Sequence, residues 1–514
     1  MHGFPHRGGI AALAFAAVVS AHAGVMMQGF YWDVPSPAAG ATVKKWWWDR
    51  LTAQANDWRR AGFTAVWLPP VTKGAGGGYS VGYDPYDDYD LGSKDQRFVR
   101  NTRYGSREAL QRLCATLRAN NLDAMVDVVL NHRNGDDGQF NFRHPDAYGT
   151  WGGGRFGKTR VDFHPYQAQD DGVPESYENY ALFGRDVAYR NPDTARQMRD
   201  AGDWLTKALD LKGYRLDYVK GVSAPFIRSY LDHGAMAGKF AVGEFWDGNR
   251  DTLKWWIDTQ VQRRAAAFDF PLRYVLKDMC LNPDGFDMRT LRGAGLAGID
   301  PAMAVTWVEN HDTDVHDPIW RNKLMGYAYI LTAEGYPCVF YRDYSTDPGC
   351  YGLKNRIDNL VWIHEKLAAG GTIERWSNEK IHVFERQGGT KLLVGLNNVQ
   401  GFTSTITCQT GFGPNVRLQD YTGHAPDVWT DGNGRVTITM PKGEGGRGYV
   451  AYSVAGQGGS TFANVPVPTV QEFAGATDLD IKPADPWTWV EICRIHPSRS
   501  PVRAEFWWDG SGLA

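Results

Sequence analysis

Three short acidic signals stand in a fixed order along the chain: GYRLDYVKG, AVGEFW and WVENHD. They put Asp217, Glu244 and Asp312 at or beside the ends of short apolar runs that read as strands. Carboxylates at strand ends can converge on one pocket. Three of them can supply a nucleophile, a proton donor and an electrostatic clamp for cleaving a glycosidic bond. Arg215 precedes Asp217 by two positions, so on a strand both point into the same space. A guanidinium there favours the ionised form that a nucleophile needs, although RLD taken alone favours a structural ion pair. Glu244 lies between Ala241-Val242-Gly243 and Phe245-Trp246, an apolar setting that can raise its pKa as a general acid requires. Asp312 closes a dense polar run, 309–312, that packing alone does not explain. His132 ends VDVVLNH beside Asn131. A lone histidine is commonly structural, but paired with His311 it could bracket a sugar hydroxyl. Tyr83, in GYDPYDDYDLG, is either a turn aromatic or a ring flooring a sugar site.

These residues need a scaffold that presents strand ends together. Eight short β-like runs fall at 25–32, 64–68, 124–130, 214–217, 240–244, 267–270, 304–308 and 338–341. Helical patterns such as SREALQRLCATLRANN fill the intervals. Eight alternating βα units predict a closed parallel barrel. An open doubly wound sheet is the alternative, but no GxGxxG follows the first run. The interval 131–213 is far longer than one crossover helix needs. Its first part is rich in Gly, Asp, His and aromatics, so residues 133–186 are expected to form an inserted subdomain, a length that is usually functional. After about Asn378 the pattern turns to strands in KIHVFER, TKLLVGLNN, RVTITM and RGYVAYSV, with turns at QGG and DGNG. Residues 378–455 are expected to form an all-β domain, and 456–514 a linker with a β-rich tail of no assigned role.

With 514 residues and a net charge of −3, the chain can bury a large core and shows no electrostatic footprint for nucleic acid. Its 20 Trp and 24 Tyr are mostly core residues by this reading, though aromatic faces also suit sugars. Residues 1–23 read as a secretory signal ending in Ala21-His22-Ala23, with an apolar stretch too short to span a membrane. A secreted or periplasmic protein cleaved after Ala23, without membrane attachment and monomeric, is expected. The spacing of Cys114, Cys280, Cys338, Cys350, Cys408 and Cys493 contains no CxxC, so a zinc site is not expected. Cys338, inside GYPCVFY, reads as a buried thiol.

Together DVVLNH, GYRLDYVKG, GEFW and VENHD resemble, in order, the signatures of the α-amylase family of glycoside hydrolases. MMQGFYWD and LMGYAYILTAEGYPCVFY also resemble it, and the likeness spans roughly residues 25–455. VKG in place of VKH is similar to the plant and maltooligosaccharide-forming branch. The resemblance implies a (β/α)8 barrel over 24–132 and 187–377, an insertion after the third strand, and a C-terminal Greek-key β domain. It implies endo-hydrolysis of α-1,4-glucosidic bonds in starch and α-glucan oligosaccharides with retention. By motif position it makes Asp217 the nucleophile, Glu244 the acid/base and Asp312 the transition-state stabiliser. Arg215, His132 and His311 would line the cleavage subsite, Tyr83 would stack under the sugar, and Lys220 and Trp246 would reach the leaving-group side. A structural calcium is implied, with Asn131, Asp186 and the carbonyl of Gly221 as ligands. Ala188 and Arg190 depart from the acids that liquefying relatives carry there, which argues against a clustered second metal. Asp162, Asp170 and Asp171 are further candidate ligands. Two other readings share these residues: an exo-acting maltooligosaccharide-forming enzyme or transglycosylase, and a non-catalytic glucan-binding protein.

Overall fold

The computed structural model describes residues 24–43, 45–136, 140–146, 148–164 and 183–458. The leader, Asp170, Asp171, Cys493 and the tail from 459 lie outside the described residues.

The barrel strands are β1 (Met26–Gln28), β2 (Ala65–Leu68), β3 (Asp123–Val129), β4 (Gly213–Asp217), β5 (Phe240–Gly243), β6 (Ala266–Phe268), β7 (Ala304–Trp307) and β8 (Tyr336–Phe340). Each pairs in parallel with the next, and β8 closes on β1. All are buried along their length apart from the first residue of β3. Strands covered on both faces need apolar residues at every position, which is why they read as continuous runs. The sixth is shorter than its sequence run. Asp269 accepts a hydrogen bond from the Leu272 amide at 2.9 Å, caps a helix and ends the strand at Phe268.

A helix follows each strand: α1 (Trp47–Ala61), α2 (Arg107–Ala119), α3 (Pro192–Leu209), α4 (Ala224–Leu231), α5 (Arg250–Trp255), α6 (Phe270–Leu281), α7 (Lys323–Ile330) and α8 (Lys354–Leu367). In α2, Ser106 caps the first turn, and Leu110, Leu113, Cys114 and Leu117 bury one stripe. In α3, Asn191 caps and Pro192 opens the helix, where its missing N–H costs nothing.

Between β3 and α3 the chain leaves the barrel. A two-stranded ribbon pairs His132 with Asp186 and Arg133 with Arg185. A buried charge cluster pins the excursion to the loop after β2. Arg133 Nη2 reaches Asp88 Oδ1 at 2.7 Å and Lys158 Nζ reaches Asp88 Oδ2 at 2.6 Å. Two cations on one buried carboxylate hold it well below the usual range, against the opposing effect of burial.

The C-terminal strands are β9 (Thr372–Ser377), β10 (Ile381–Arg386), β11 (Leu392–Asn397), β12 (Ser404–Gln409), β13 (Arg417–Asp420), β14 (Val428–Trp429), β15 (Arg435–Met440) and β16 (Tyr449–Val454). They form a sheet of order β9-β10-β11-β16-β13-β14 and a pair β12-β15, with Val383, Leu393, Ile438, Met440 and Tyr452 in the core between. The five described cysteines are free thiols, and Cys338 is buried as read.

Candidate active site

The register of β3, β4 and β5 assembles a charge cluster at the strand ends. Asp127 lies opposite Arg215, and Leu216 opposite Gly243, which immediately precedes Glu244. Arg215 is almost wholly buried and serves three carboxylates at once. Its Nη1 donates to Asp127 at 2.9 and 3.0 Å and to Asp217 Oδ1 at 2.7 Å, while Nη2 meets Glu244 Oε1 at 2.5 Å. One positive charge cannot neutralise three carboxylates in a site with little water. Glu244 is accordingly pushed up to about 8, chiefly by burial, with the charges of Asp217 and Asp312 adding to it against Arg215. Asp127 rises to about 7 for the same leading reason. The close Arg215–Glu244 contact therefore does not mean a fully ionised pair; burial and the two other acids outweigh it.

Glu244 Oε2 also accepts the Tyr218 amide at 3.1 Å. Tyr218 achieves this with a left-handed backbone, φ 40°, a conformation costing about 1–2 kcal/mol for a residue with a Cβ. Asp312 is raised by burial, receives a hydrogen bond from Trp32, and is the most exposed of the three predicted acids, at 20% against 12% for Asp217 and 7% for Glu244.

The histidines organise Tyr83. His311 is held neutral by burial and by Arg215. Its Nδ1 lies 2.9 Å from Gln28 Nε2 and its Nε2 lies 2.8 Å from the Tyr83 hydroxyl, which donates to Asp127 Oδ2 at 2.8 Å. A hydroxyl that donates to a carboxylate must accept from the ring, so Nε2 carries the proton and Nδ1 accepts from Gln28. The rings of Tyr83 and His311 stack at 5.3 Å. Burial also lowers the pKa of His132, whose Nε2 donates to the Tyr83 carbonyl at 2.8 Å. Both rings thus spend their nitrogens on protein partners around Tyr83. Lys220 Nζ donates to Asp247 Oδ2 at 3.1 Å, and Trp246, half exposed, donates to the Tyr274 hydroxyl at 2.8 Å and stacks on Phe270. Both stand on the loops that carry Asp217 and Glu244.

The chain is 30% identical over 423 residues to the glucan 1,4-α-maltohexaosidase of Bacillus sp. strain 707, covering 71% of this chain and 80% of that one. It belongs to the α-amylase family of glycoside hydrolases. The α-amylase of Bacillus licheniformis is 29% identical over 465 residues, covering 79% of this chain and 87% of its own, and the cytoplasmic α-amylase of Escherichia coli 28% over 484 residues, covering 80% and 96%. An Anoxybacillus α-amylase structure superposes with a TM-score of 0.63 at 19% identity over 85% of this chain and 98% of that one, which shows the shared fold. No family profile matches the chain.

The motifs DVVLNH and MMQGFYWD of this α-amylase-family chain contain Asp127, Gln28 and Trp32 without giving them a role, and Trp67 stood outside every motif. Trp67 Nε1 donates to Asp127 Oδ2 at 3.2 Å. A signal existed for Asp127: an acid inside the apolar strand MVDVV must find a buried cation, and Arg215 is that cation.

The region assigned to a cation offers hard oxygens. Asn131 Nδ2 faces His132 Nδ1 at 3.3 Å, which turns Oδ1 away, and that oxygen is buried without a hydrogen-bond partner. A Cβ on Gly221 would fall 1.9 Å from it, so any larger residue there would have to displace the Asn131 side chain. Asp186 is buried beside Asn131, whose carbonyl accepts the Val187 amide at 3.0 Å. These features suit a calcium-sized ion. Asp162 is otherwise engaged, accepting from Thr194 Oγ1 at 2.5 Å and from the Thr159 amide at 2.8 Å. Among the described residues no three Asp, Glu, His or Cys gather as a metal cluster. No helix among them is long and apolar enough to cross a membrane.

Proposed function

We propose that the chain is an exported, monomeric α-amylase that hydrolyses internal α-1,4-glucosidic bonds of starch and related glucans with retention. The observation that carries this reading is the single guanidinium of Arg215 holding Asp217 and Glu244 together, with Glu244 pushed up to about 8. At neutral pH that leaves a proton on Glu244, beside an Asp217 oxygen held at 2.7 Å by the same guanidinium. Two carboxyls on adjacent nitrogens of one guanidinium suit the short separation of a double displacement, about 5–5.5 Å, rather than a spacing that admits water.

In the first step an Asp217 oxygen bonds to the anomeric carbon as the glycosidic C–O bond breaks. The Glu244 proton passes to the leaving oxygen. In the second step Glu244 takes a proton from water, the water oxygen bonds to the anomeric carbon, and the Asp217 ester breaks. Asp312, the most open acid, faces the distorted sugar and its hydroxyls. Tyr83, fixed by His132, His311 and Asp127, floors the same subsite. Lys220 and Trp246 border the leaving-group side.

Calcium is proposed at Asn131, Asp186 and the Gly221 carbonyl. When bound it supplies a hard-oxygen crosslink between the barrel end and the inserted ribbon. The chelator dependence of the unfolding temperature tests it independently of activity: an unchanged midpoint after chelation would remove calcium from this reading. Export rests on residues 1–23 and is checked by the mass of the mature N-terminus.

The maltohexaosidase of Bacillus sp. strain 707 and the maltotetraohydrolase of Roseateles saccharophilus favour a second reading, release of one short product. Chromatography of early products from soluble starch, wild type beside Asp217→Asn, separates the cases. Mixed oligosaccharides from wild type alone support the endo reading. One dominant product supports the second. Starch bound but cleaved by neither protein leaves a glucan-binding protein.

A further inference from the structure

Arg97 and Phe98 are consecutive residues at positive φ, 55° and 64°. Gln96 and Val99 pair across them, and the Val99 amide donates to the Gln96 carbonyl at 3.2 Å. Two left-handed residues at the centre of a tight turn call for Asn-Gly, and a bulky aromatic there is an outlier. The Phe98 ring is nevertheless fully exposed, at 106%, so neither backbone preference nor burial accounts for it. Strain held in place at an exposed aromatic points to a contact made outside the folded chain.

The turn is rigid. Buried Lys73 donates through Nζ to the carbonyls of Val99 at 2.9 Å and Arg100 at 2.7 Å. Arg97 Nε donates to the Ala75 carbonyl at 2.6 Å, and its guanidinium lies over Tyr86 at 4.8 Å. A second exposed ring is carried on the turn that packs against Arg97. Tyr79, 71% exposed, ends the 3-10 turn Gly77–Tyr79, which packs so closely on Arg97 that a Cβ on Gly77 would meet the Arg97 carbonyl at 2.2 Å. That turn is tied to the active-site loop, because Asp84, next to Tyr83, accepts the Gly76 amide at 2.7 Å and the Ala75 amide at its carbonyl at 2.8 Å. Tyr83, Tyr79 and Phe98 are thus carried on one braced block of chain that starts in the site and ends at the surface.

We propose that Tyr79 and Phe98 form an accessory contact for an α-glucan chain continuing past Tyr83, stacking on the apolar faces of its glucose units. The proposal rests on the glucan-hydrolase reading above. The backbone that carries the rings is braced before binding, so only the two side chains have to be ordered on contact.

The test uses full-length Phe98→Gly and Tyr79→Ser. Amylose affinity is measured by retardation in amylose-containing gels, with kcat/KM on a short maltooligosaccharide and the unfolding temperature alongside. Each variant is expected to lose roughly three- to tenfold in amylose affinity and to keep kcat/KM on the short substrate. Phe98→Gly should unfold no lower than wild type, since glycine suits positive φ. Unchanged amylose affinity in both variants overturns the proposal. So does a lower unfolding temperature in Phe98→Gly, which would mean the ring packs on its own chain, or a loss of self-association in place of amylose binding. Wild type that binds amylose without cleaving it would sink the hydrolase reading and leave this contact standing.

Discussion

Replacing Glu244 by Gln removes the proposed proton donor and also a buried carboxyl that resists ionisation. The folded pKa is raised from 4.5 to about 8. Between those values the native state holds a proton that the unfolded state has lost, so wild-type stability falls as pH rises through this window. The contribution is present in full below about 4.5 and gone above about 8. At about 1.4 kcal/mol per pH unit, the loss is on the order of 3–5 kcal/mol. Gln carries no such proton, and its stability curve lacks this slope. It does place an NH2 against Arg215 or the Tyr218 amide, a lost hydrogen bond of about 1 kcal/mol that does not vary with pH. Urea unfolding at a series of pH values from about 5 to 9 should therefore show Glu244→Gln gaining on wild type as pH rises. Starch hydrolysis should fall by about 10²–10⁴, and less on a substrate whose leaving group needs no proton. Stability curves that run parallel across this range would refute the shared-guanidinium argument.

Asp217→Asn should abolish starch cleavage while leaving amylose binding measurable in gels, because the attacking oxygen is lost and the stacking surface is kept. Arg215→Met should cost about 3–5 kcal/mol in urea unfolding at neutral pH, since it strands buried carboxylates. The deficit should shrink in acid as those groups protonate. Gly221→Ala drives a Cβ to 1.9 Å from Asn131 Oδ1, so unfolding should fall by about 1–3 kcal/mol and need more calcium to reach its plateau. The wild-type alkaline limb of kcat/KM should fall near 8, where Glu244 loses its proton, and a limb unmoved by any Arg215 substitution would count against that assignment.

The barrel was legible because parallel strands buried on both faces write their positions as apolar runs, and all eight fell where the runs lie. The acids were legible because each closes such a run. Asp127 opened the quoted run DVVLNH, but its role was not legible, because it sits inside a strand and takes that role from its partner on the neighbouring one. Gln28 and Trp32 escaped notice for a related reason: their roles depend on β1 closing beside β8 and β2, which brings Gln28 to His311 across the barrel. β9 was missed because its residues are exposed or half-buried and a bulge breaks its register between Glu374 and Trp376, which erases the alternation a half-buried strand shows.

The same charge imbalance that lifts Glu244 explains how such a site can favour a transition state over a bound substrate. Arg215 is shared by Asp127, Asp217 and Glu244, and the charge of Asp312 acts on the same cluster. A neutral sugar brings no charge to satisfy them. An oxocarbenium-like sugar does, and it supplies positive charge where the protein has fixed an excess of negative charge before the substrate arrives. Interactions that strengthen only as that charge develops lower the barrier without tightening ground-state binding. On this argument Asp312→Asn should leave KM near its wild-type value and depress kcat. A variant whose loss appears in KM alone would place Asp312 in substrate binding and leave the electrostatic account without its clamp.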